Sequence, residues 1–489
     1  MDLKEAFFRI SKVEDKAIGN NISWQGIGVW PIVRQCLWFE LTHETEETNR
    51  KQTHWFTQLL QRAINWFSTA TFSFFNHVPI TGSETTAFIS RPIYLQALPN
   101  RALFDRIVDP LIFCMPSNVV YAKYYVSPWP NFIKLNYPAT FLQPVRLSSE
   151  DISEEHRDLL TLVANEVGID PKKLIYRYKK DLNAFTCWLQ AARQFLKSRK
   201  NLDTIYLTSW YFPDMMALVT AARECGIKTI ELQHGKQGKF NAMYSGWRIP
   251  EKGYQMMPDI FWNWGKPSAE HILATSPDRC IHRPSIAGFP WIDYYRQHVL
   301  FQPASDFKEK KRSVLVTIQS PEGENNQPIP DFIIDYMREC PKEVFFIFRC
   351  HPSLKEGPEY CRHRLSELPS DLYIIDDVGR NLYDILMEVT HHITAYSSCC
   401  YEASVFGVPT LLFGRDSWAF YKDEIDKGIF SWTLGSSEDL ALWLEKNNSP
   451  KDANDEEYII SSLERTSYIL QRAKYLSFDY HELKDLEDA

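Results

Sequence analysis

The chain holds ten cysteines but no CxxC pair, and only Cys399 and Cys400 are adjacent. That scatter suits neither a zinc ribbon nor a disulfide framework and fits a reducing cytoplasm. GxGxxG and GxxxxGK[ST] are both missing, which sets aside dinucleotide dehydrogenases and P-loop NTPases. DxD is missing too, so a carboxylate-held Mg²⁺ on a diphosphate lacks its usual short signature and metal-independent chemistry is favoured. Cations are in deficit, 54 Lys and Arg against 62 Asp and Glu, for a net charge of −8. A nucleic-acid surface needs clustered cations, so nucleic acid is not an expected partner. No apolar run reaches the ~20 residues of a membrane span, and the opening MDLKEAFFRISKVEDKAIG has no secretory apolar core or cleavage site.

What is present is globular. At 489 residues, 44% hydrophobic and 24% charged, the chain is too long for one ordinary core, and two domains with additions are expected. The first 80 residues read as a helical, aromatic-rich extension, with GVWPIVRQCLWFEL as an amphipathic helix opened by Pro31. Between Thr53 and Asn76, Trp55, Phe56, Leu59, Leu60, Ala63, Trp66 and Phe67 recur at helical spacing. Packing on the core is the favoured reading there; peripheral contact with a membrane face is the alternative, although a basic polar face is missing. Glu84–Ser90 and Asn118–Val126 have strand composition, with LPNRALFDRIVDPL between them as a polar loop. Asp170-Pro171 opens a long helix. Asp203–Ser209, Pro213–Cys225 and Lys228–Leu232 then read as strand, helix and strand, followed by apolar segments at Asp259–Trp264 and Ile281–Gly288. A polar linker spans 297–312. A second alternation follows over 313–450, and helices over 451–489 are placed as packing back on the first domain, 1–296. Strands alternating with helices imply parallel sheets covered on both faces. The expected fold is therefore α/β, two Rossmann-like domains facing a cleft, with an N-terminal helical extension.

The most telling segment is HHITAYSSCCYEASVFGVPTLLFG, residues 391–414. It reads as a strand, two serines, a short helix and a second strand, so Ser397 and Ser398 meet free backbone N–H groups at a helix start, where an anion belongs. Glu402 follows one turn later, placed to accept hydrogen bonds from ribose hydroxyls. His351, in Arg349-Cys350-His351-Pro352-Ser353, ends a strand and is positioned to donate to a departing phosphate, with Arg349 adding charge. Ser320 at the end of SVLVTIQS and Asp377 at the end of LYIIDD complete the expected nucleotide side; a turn before Gly379 explains Asp377 equally well. In the first domain, Gln233-His234-Gly235 follows a strand. His234 is the leading general base, since imidazole titrates near neutral pH. Asp214 competes with it, although an aspartate at a helix start is commonly a helix-end charge. Gln233, Gly235 and Ser209 are expected on the acceptor side.

Together these residues resemble the GT-B glycosyltransferases of bacterial surface polysaccharide synthesis. The nearest subset uses cytidine-activated donors: sialyl- and polysialyltransferases, Kdo transferases and CDP-glycerol glycerophosphotransferases. The resemblance maps an HP motif onto His351-Pro352, the phosphate-binding serine pair onto Ser397-Ser398, and the EA…GxP pattern onto Glu402-Ala403 through Gly407 and Pro409. The QHG of capsule enzymes is matched by residues 233–235. The likeness covers roughly residues 200–415. The acidic-acidic-glycine motif that carries the base in sialyltransferases of this type has no counterpart before the linker, and Glu322-Gly323 lies in the wrong domain. The resemblance implies transfer of a sugar from a CMP-sialic acid or CMP-Kdo type donor to a glycan or glycolipid hydroxyl, with no cofactor beyond the nucleotide sugar. It further implies a cytoplasmic protein, peripheral at most to the inner face of the cell membrane. A nucleotide-sugar epimerase or hydrolase of the same fold, or a non-catalytic glycan-assembly protein, are the alternatives, and inversion or retention is left open.

Overall fold

The computed structural model describes residues 3–15, 22–42, 82–99, 102–126, 134–148, 151–274, 281–299, 312–319, 327–339, 343–351, 354, 356–376, 380–446 and 458–472. The aromatic segment Thr53–Asn76, Ser320, Glu322-Gly323, Pro352-Ser353, Asp377 and most of the expected linker lie outside them. The chain forms two compact units, one over Glu5–Tyr294 and the chain from Ile460 on, the other essentially Tyr295–Ile459.

The larger unit is built on seven strands: β1 Thr86–Ser90, β2 Tyr121–Tyr125, β3 Thr140–Phe141, β4 Thr204–Thr208, β5 Lys228–Leu232, β6 Ile260–Asn263 and β7 Arg283–Ile286. They lie in the order β7-β6-β5-β4-β1-β2-β3, every pair parallel. Helices Pro171–Lys197 and Pro213–Glu224 pack on each other. The first starts where Asp170 accepts from the Lys172 N–H at 2.9 Å, with Pro171 supplying a preset φ at the first turn. Strand order reverses between β1 and β4, so ligands are expected beyond the carboxyl ends of those two strands.

Two helices of the N-terminal extension, Leu3–Asp15 and Trp30–Thr42, brace the loop after β5. Arg34, fully buried, pairs with Glu14 and donates to the carbonyls of Ala242 at 2.8 Å and Ser245 at 2.6 Å. Its guanidinium also stacks 4.2 Å from the Trp247 ring centroid. Burial draws the Arg34 pKa down to about 9. The helix Leu463–Arg472 packs on Asp109–Cys114 of the same unit. There the chain passes so close to Gly288 that a Cβ would lie 2.5 Å from the Ile460 carbonyl oxygen.

The expected polar loop at residues 98–111 is instead structured. Leu95–Ala97 pairs antiparallel with Leu103–Asp105, and a helix follows at Asp109–Cys114. Its charges are neutralised inside: Asp105 accepts from the Ile107 and Val108 N–H groups, and Asp109 pairs with buried Lys123. Satisfied in this way, polar residues no longer mark a surface loop.

The smaller unit holds β8 Arg312–Ile318, β9 Val344–Cys350, β10 Tyr373–Asp376, β11 His391–Thr394, β12 Thr410–Phe413 and β13 Ser431–Thr433. Their order is β10-β9-β8-β11-β12-β13, again all parallel. Runs such as VLVTI in β8 and VFFIF in β9 are continuous rather than alternating because helices cover both faces. The core joins Val314, Val316, Phe346, Phe348 and Ile393 to Phe332, Ile333 and Leu444 of those helices. Here the switch point falls between β8 and β11. Among the described residues, no helix of either unit is long and apolar enough to cross a membrane.

Candidate functional site

In the smaller unit, three loops meet at the switch point. His351 follows β9 directly, donating its N–H to the Ile318 carbonyl of β8 at 2.9 Å, and its side chain is exposed. The loop after β11 is tied to the end of β8 by the Tyr396 N–H donating to Gln319 Oε1 at 3.3 Å. Ser397 and Ser398 follow at once, and the helix Cys399–Val405 begins. Ser397 is buried and its Oγ accepts from the Cys399 N–H at 3.3 Å, so this hydroxyl caps the helix start. Ser398 is half-buried and makes no capping bond. The helix ends at Gly407, whose φ of +72° lets the chain reverse into Pro409 and β12.

Glu402 does not stand open to solvent. It is buried, and one carboxylate oxygen accepts the hydroxyl of buried Tyr383 at 2.6 Å. Arg349 faces Asp376 across the β9–β10 register and forms an ion pair with it, also donating to the Arg380 carbonyl at 2.8 Å. Asp376, the neighbour of Asp377, is therefore committed to holding strands together. A cleft of about 670 Å³ opens at the carboxyl ends of β11, β12 and β13, lined by Tyr396, Phe413, Arg415, Asp416, Leu434 and Asp331 among others. It lies beside the serine pair rather than over it, sharing the loop through Ala395 and Tyr396. Gly414, at φ +87°, makes the turn from β12 into this wall.

In the larger unit, His234 follows β5 and meets residues from both sides of that unit's switch point. Its Nδ1 lies 3.3 Å from Glu231 Oε1 and 3.3 Å from the Leu232 carbonyl. Its Nε2 lies 3.3 Å from Ser209 Oγ and 3.3 Å from the Tyr211 hydroxyl. Ser209, just past β4, holds a left-handed φ of +54° and bonds the Tyr94 hydroxyl at 2.6 Å. The Tyr94 ring is tilted against the imidazole at 5.5 Å. Glu231 is wholly buried; burial raises its carboxyl above the usual range, while hydrogen bonds from His234, Tyr244 and Gln237 act the other way. Burial, with Glu231 nearby, pushes the Tyr211 phenol up to about 12.

The other expected residues of this unit have partners of their own. Asp214, at the start of helix Pro213–Glu224, is ion-paired with Arg91 from the end of β1 and accepts from the Met215 N–H at 2.8 Å. Both contacts fall on Oδ1. Gln233 is buried, donating to Gly235 O at 2.9 Å and Ser268 Oγ at 3.0 Å and accepting from the Trp264 N–H at 2.7 Å. Its amide shapes the loop that carries His234. Gly235 is neither left-handed nor crowded. Glu231, Tyr94 and Tyr211 escaped the sequence reading. A charged residue inside the otherwise apolar strand KTIEL was the available signal, since a parallel strand covered on both faces must pair any charge it carries.

No protein-family model matches this chain, and no curated protein sequence does. Solved structures do match in fold. The UDP-N-acetylglucosamine 2-epimerase of Methanocaldococcus jannaschii is 12% identical, with a TM-score of 0.50 over 80% of this chain and 99% of that one. A Listeria monocytogenes protein described as a UDP-N-acetylglucosamine 2-epimerase gives 12%, 0.50, 80% and 96%. The wall teichoic acid polymerase TagF gives 12% over 89% and 98%, at a TM-score of 0.41, too loose a likeness to build on. Two Rossmann-like α/β domains and the likeness to the two epimerase structures define the chain as GT-B in fold.

Proposed function

We propose that this chain is a glycosyltransferase that moves a sugar from a cytidine-activated donor, of the CMP-sialic acid or CMP-Kdo type, to a hydroxyl of a surface polysaccharide or lipopolysaccharide. The observation that carries the proposal is the environment of His234. A peptide carbonyl can only accept, so Nδ1 beside Leu232 O carries the proton and Nε2 of the neutral ring keeps its lone pair. Such a nitrogen takes the proton of an attacking hydroxyl that displaces the Ser209 and Tyr211 hydroxyls now 3.3 Å from it. The acceptor oxygen then forms its bond to the donor's anomeric carbon as that carbon's bond to the phosphate oxygen breaks, and the nucleotide departs with the electron pair.

On the donor side we assign the departing phosphate to Ser397, Ser398, His351 and Ser320. Glu402, steadied by Tyr383, takes the ribose. Asp377 is assigned to the base or sugar. The arrangement of His351, Gln319 and the serine loop at one switch point supports this assignment. Arg349, Asp214 and Gln233 are assigned to holding these loops, and Ser209 and Gly235 to the acceptor side. No metal and no cofactor beyond the nucleotide sugar is required. A lipid-linked acceptor would bring the protein to the inner face of the cell membrane.

The fold neighbours favour a second reading, epimerisation of a nucleotide sugar. Thermal unfolding of the full chain with CMP, CDP, UDP and GDP and their sugars separates the donors, because a ligand that binds only the folded state raises its stability. Stabilisation by cytidine nucleotides is expected. A response to UDP alone would remove the cytidine assignment, and a sugar product formed without any acceptor would favour the epimerase.

A further inference from the structure

We propose that Glu231 is a positioning residue for His234, fixing which ring nitrogen is bare and stabilising the ring once it has taken a proton. The catalytic consequence rests on the transferase reading above; the effect on the imidazole does not.

Glu231 is fully buried in a strand, where a carboxylate without partners is costly. It has three: His234 Nδ1 at 3.3 Å, the Tyr244 hydroxyl at 2.9 Å and Gln237 Nε2 at 3.3 Å. Gln237 is oriented in turn, accepting from Asn263 Nδ2 at 2.6 Å. The carboxylate is thus fixed from two neighbouring elements, and of its partners only the imidazole has a lone pair that can take up a proton to give a cation. With Leu232 O and Glu231 both on the Nδ1 side, the lone pair is directed to Nε2. When Nε2 takes a proton, the positive ring faces a negative oxygen that is already in place, so little reorganisation accompanies the step.

Carboxylate, imidazole and Ser209 also stand in the order of a nucleophilic triad. Ser209 is only 1% exposed and its Oγ bonds the Tyr94 hydroxyl at 2.6 Å. A buried hydroxyl with a phenol on it cannot reach a substrate carbon. Its place is to hold the bare side of the ring, together with Tyr211. The titratable groups facing His234 are therefore Tyr94 from beyond β1, Tyr211 from beyond β4 and Glu231 on β5, with Tyr244 of the following loop reaching the ring through Glu231.

The test is E231Q in the full-length protein, read by the NMR pH titration of the His234 ring and by pH-rate profiles. An opposite charge this close typically moves a titration by one or more units. The His234 midpoint and the acidic limb of kcat/KM are therefore expected to fall by about one unit, with kcat down about 100-fold and donor KM within about twofold. Y244F removes a hydrogen bond from the carboxylate and is expected to move the midpoint the other way, so it serves if E231Q does not fold. A folded E231Q, or Y244F in its place, with an unmoved midpoint overturns the proposal. A shifted midpoint in a protein whose H234A variant still turns over at the wild-type rate overturns His234 as the base and leaves Glu231 as the orienter of the ring.

Discussion

The hydroxyl of Tyr383 lies 2.6 Å from Glu402, and both side chains are buried. The residue assigned to ribose is therefore prearranged by a neighbour nineteen positions earlier in the chain. Y383F leaves a buried carboxylate oxygen short of one donor, a loss of about 1–3 kcal/mol. Its unfolding temperature is expected to drop and its donor KM to rise several-fold with kcat little changed. Calorimetry and initial rates check this.

His392 gives the smaller unit a pH dependence of known sign. The ring is fully buried between Thr317 Oγ1 at 2.9 Å and Thr410 Oγ1 at 3.1 Å, and burial lowers its pKa from 6.5 to about 3. The fold accepts only the neutral ring, so this contribution is complete above pH 6.5 and is lost as pH falls toward 3. At about 1.4 kcal/mol per unit, the loss amounts to several kcal/mol. Urea unfolding between pH 7 and 4 is expected to show it, with a shallower slope in H392Q.

Arg349 and Asp376 are 11% and 4% exposed. Removing one member of a buried pair typically costs about 3–5 kcal/mol because the other charge stays behind. R349A is expected to destabilise the smaller unit by about that amount. R349A/D376A is expected to recover part of the loss, measured by denaturant titration. A residue that served only to bind phosphate would weaken nucleotide affinity and leave stability alone.

Much of the architecture was legible beforehand. Parallel strands covered on both faces become unbroken apolar runs, and Asp170-Pro171 and Gly407 mark helix ends by their own backbone chemistry. The locations of His234, His351 and the serine pair were legible for a related reason: each stands where such a run stops. What was hidden depends on register and on distance along the chain. Arg349 meets Asp376 only because β9 and β10 pair in one register. Arg34 reaches the carbonyls of Ala242 and Ser245 across more than 200 residues. The buried hairpin near Asp105 looked like surface because Asp109 is matched by Lys123, fourteen residues on, and Asp105 by the N–H groups of a local turn that composition does not reveal.

The Arg34 brace yields a prediction of its own. R34M leaves Glu14 buried beside the loop that follows His234, and a loss of about 3–5 kcal/mol is expected in the larger unit. Turnover is expected to fall while nucleotide affinity stays within about twofold, because the residues assigned to the nucleotide belong to the other unit. Hydrogen exchange is expected to show faster opening over residues 236–250.

Acceptor-dependent transfer in wild type and H234A, with CMP-sialic acid or CMP-Kdo as donor and nucleotide release followed alongside, tests the proposed chemistry most directly. The expected result is sugar transfer that requires the acceptor hydroxyl and falls by about 10²–10⁴ in H234A, the range for loss of a general base, while cytidine nucleotides still stabilise the variant. Unchanged transfer in a folded H234A would contradict it.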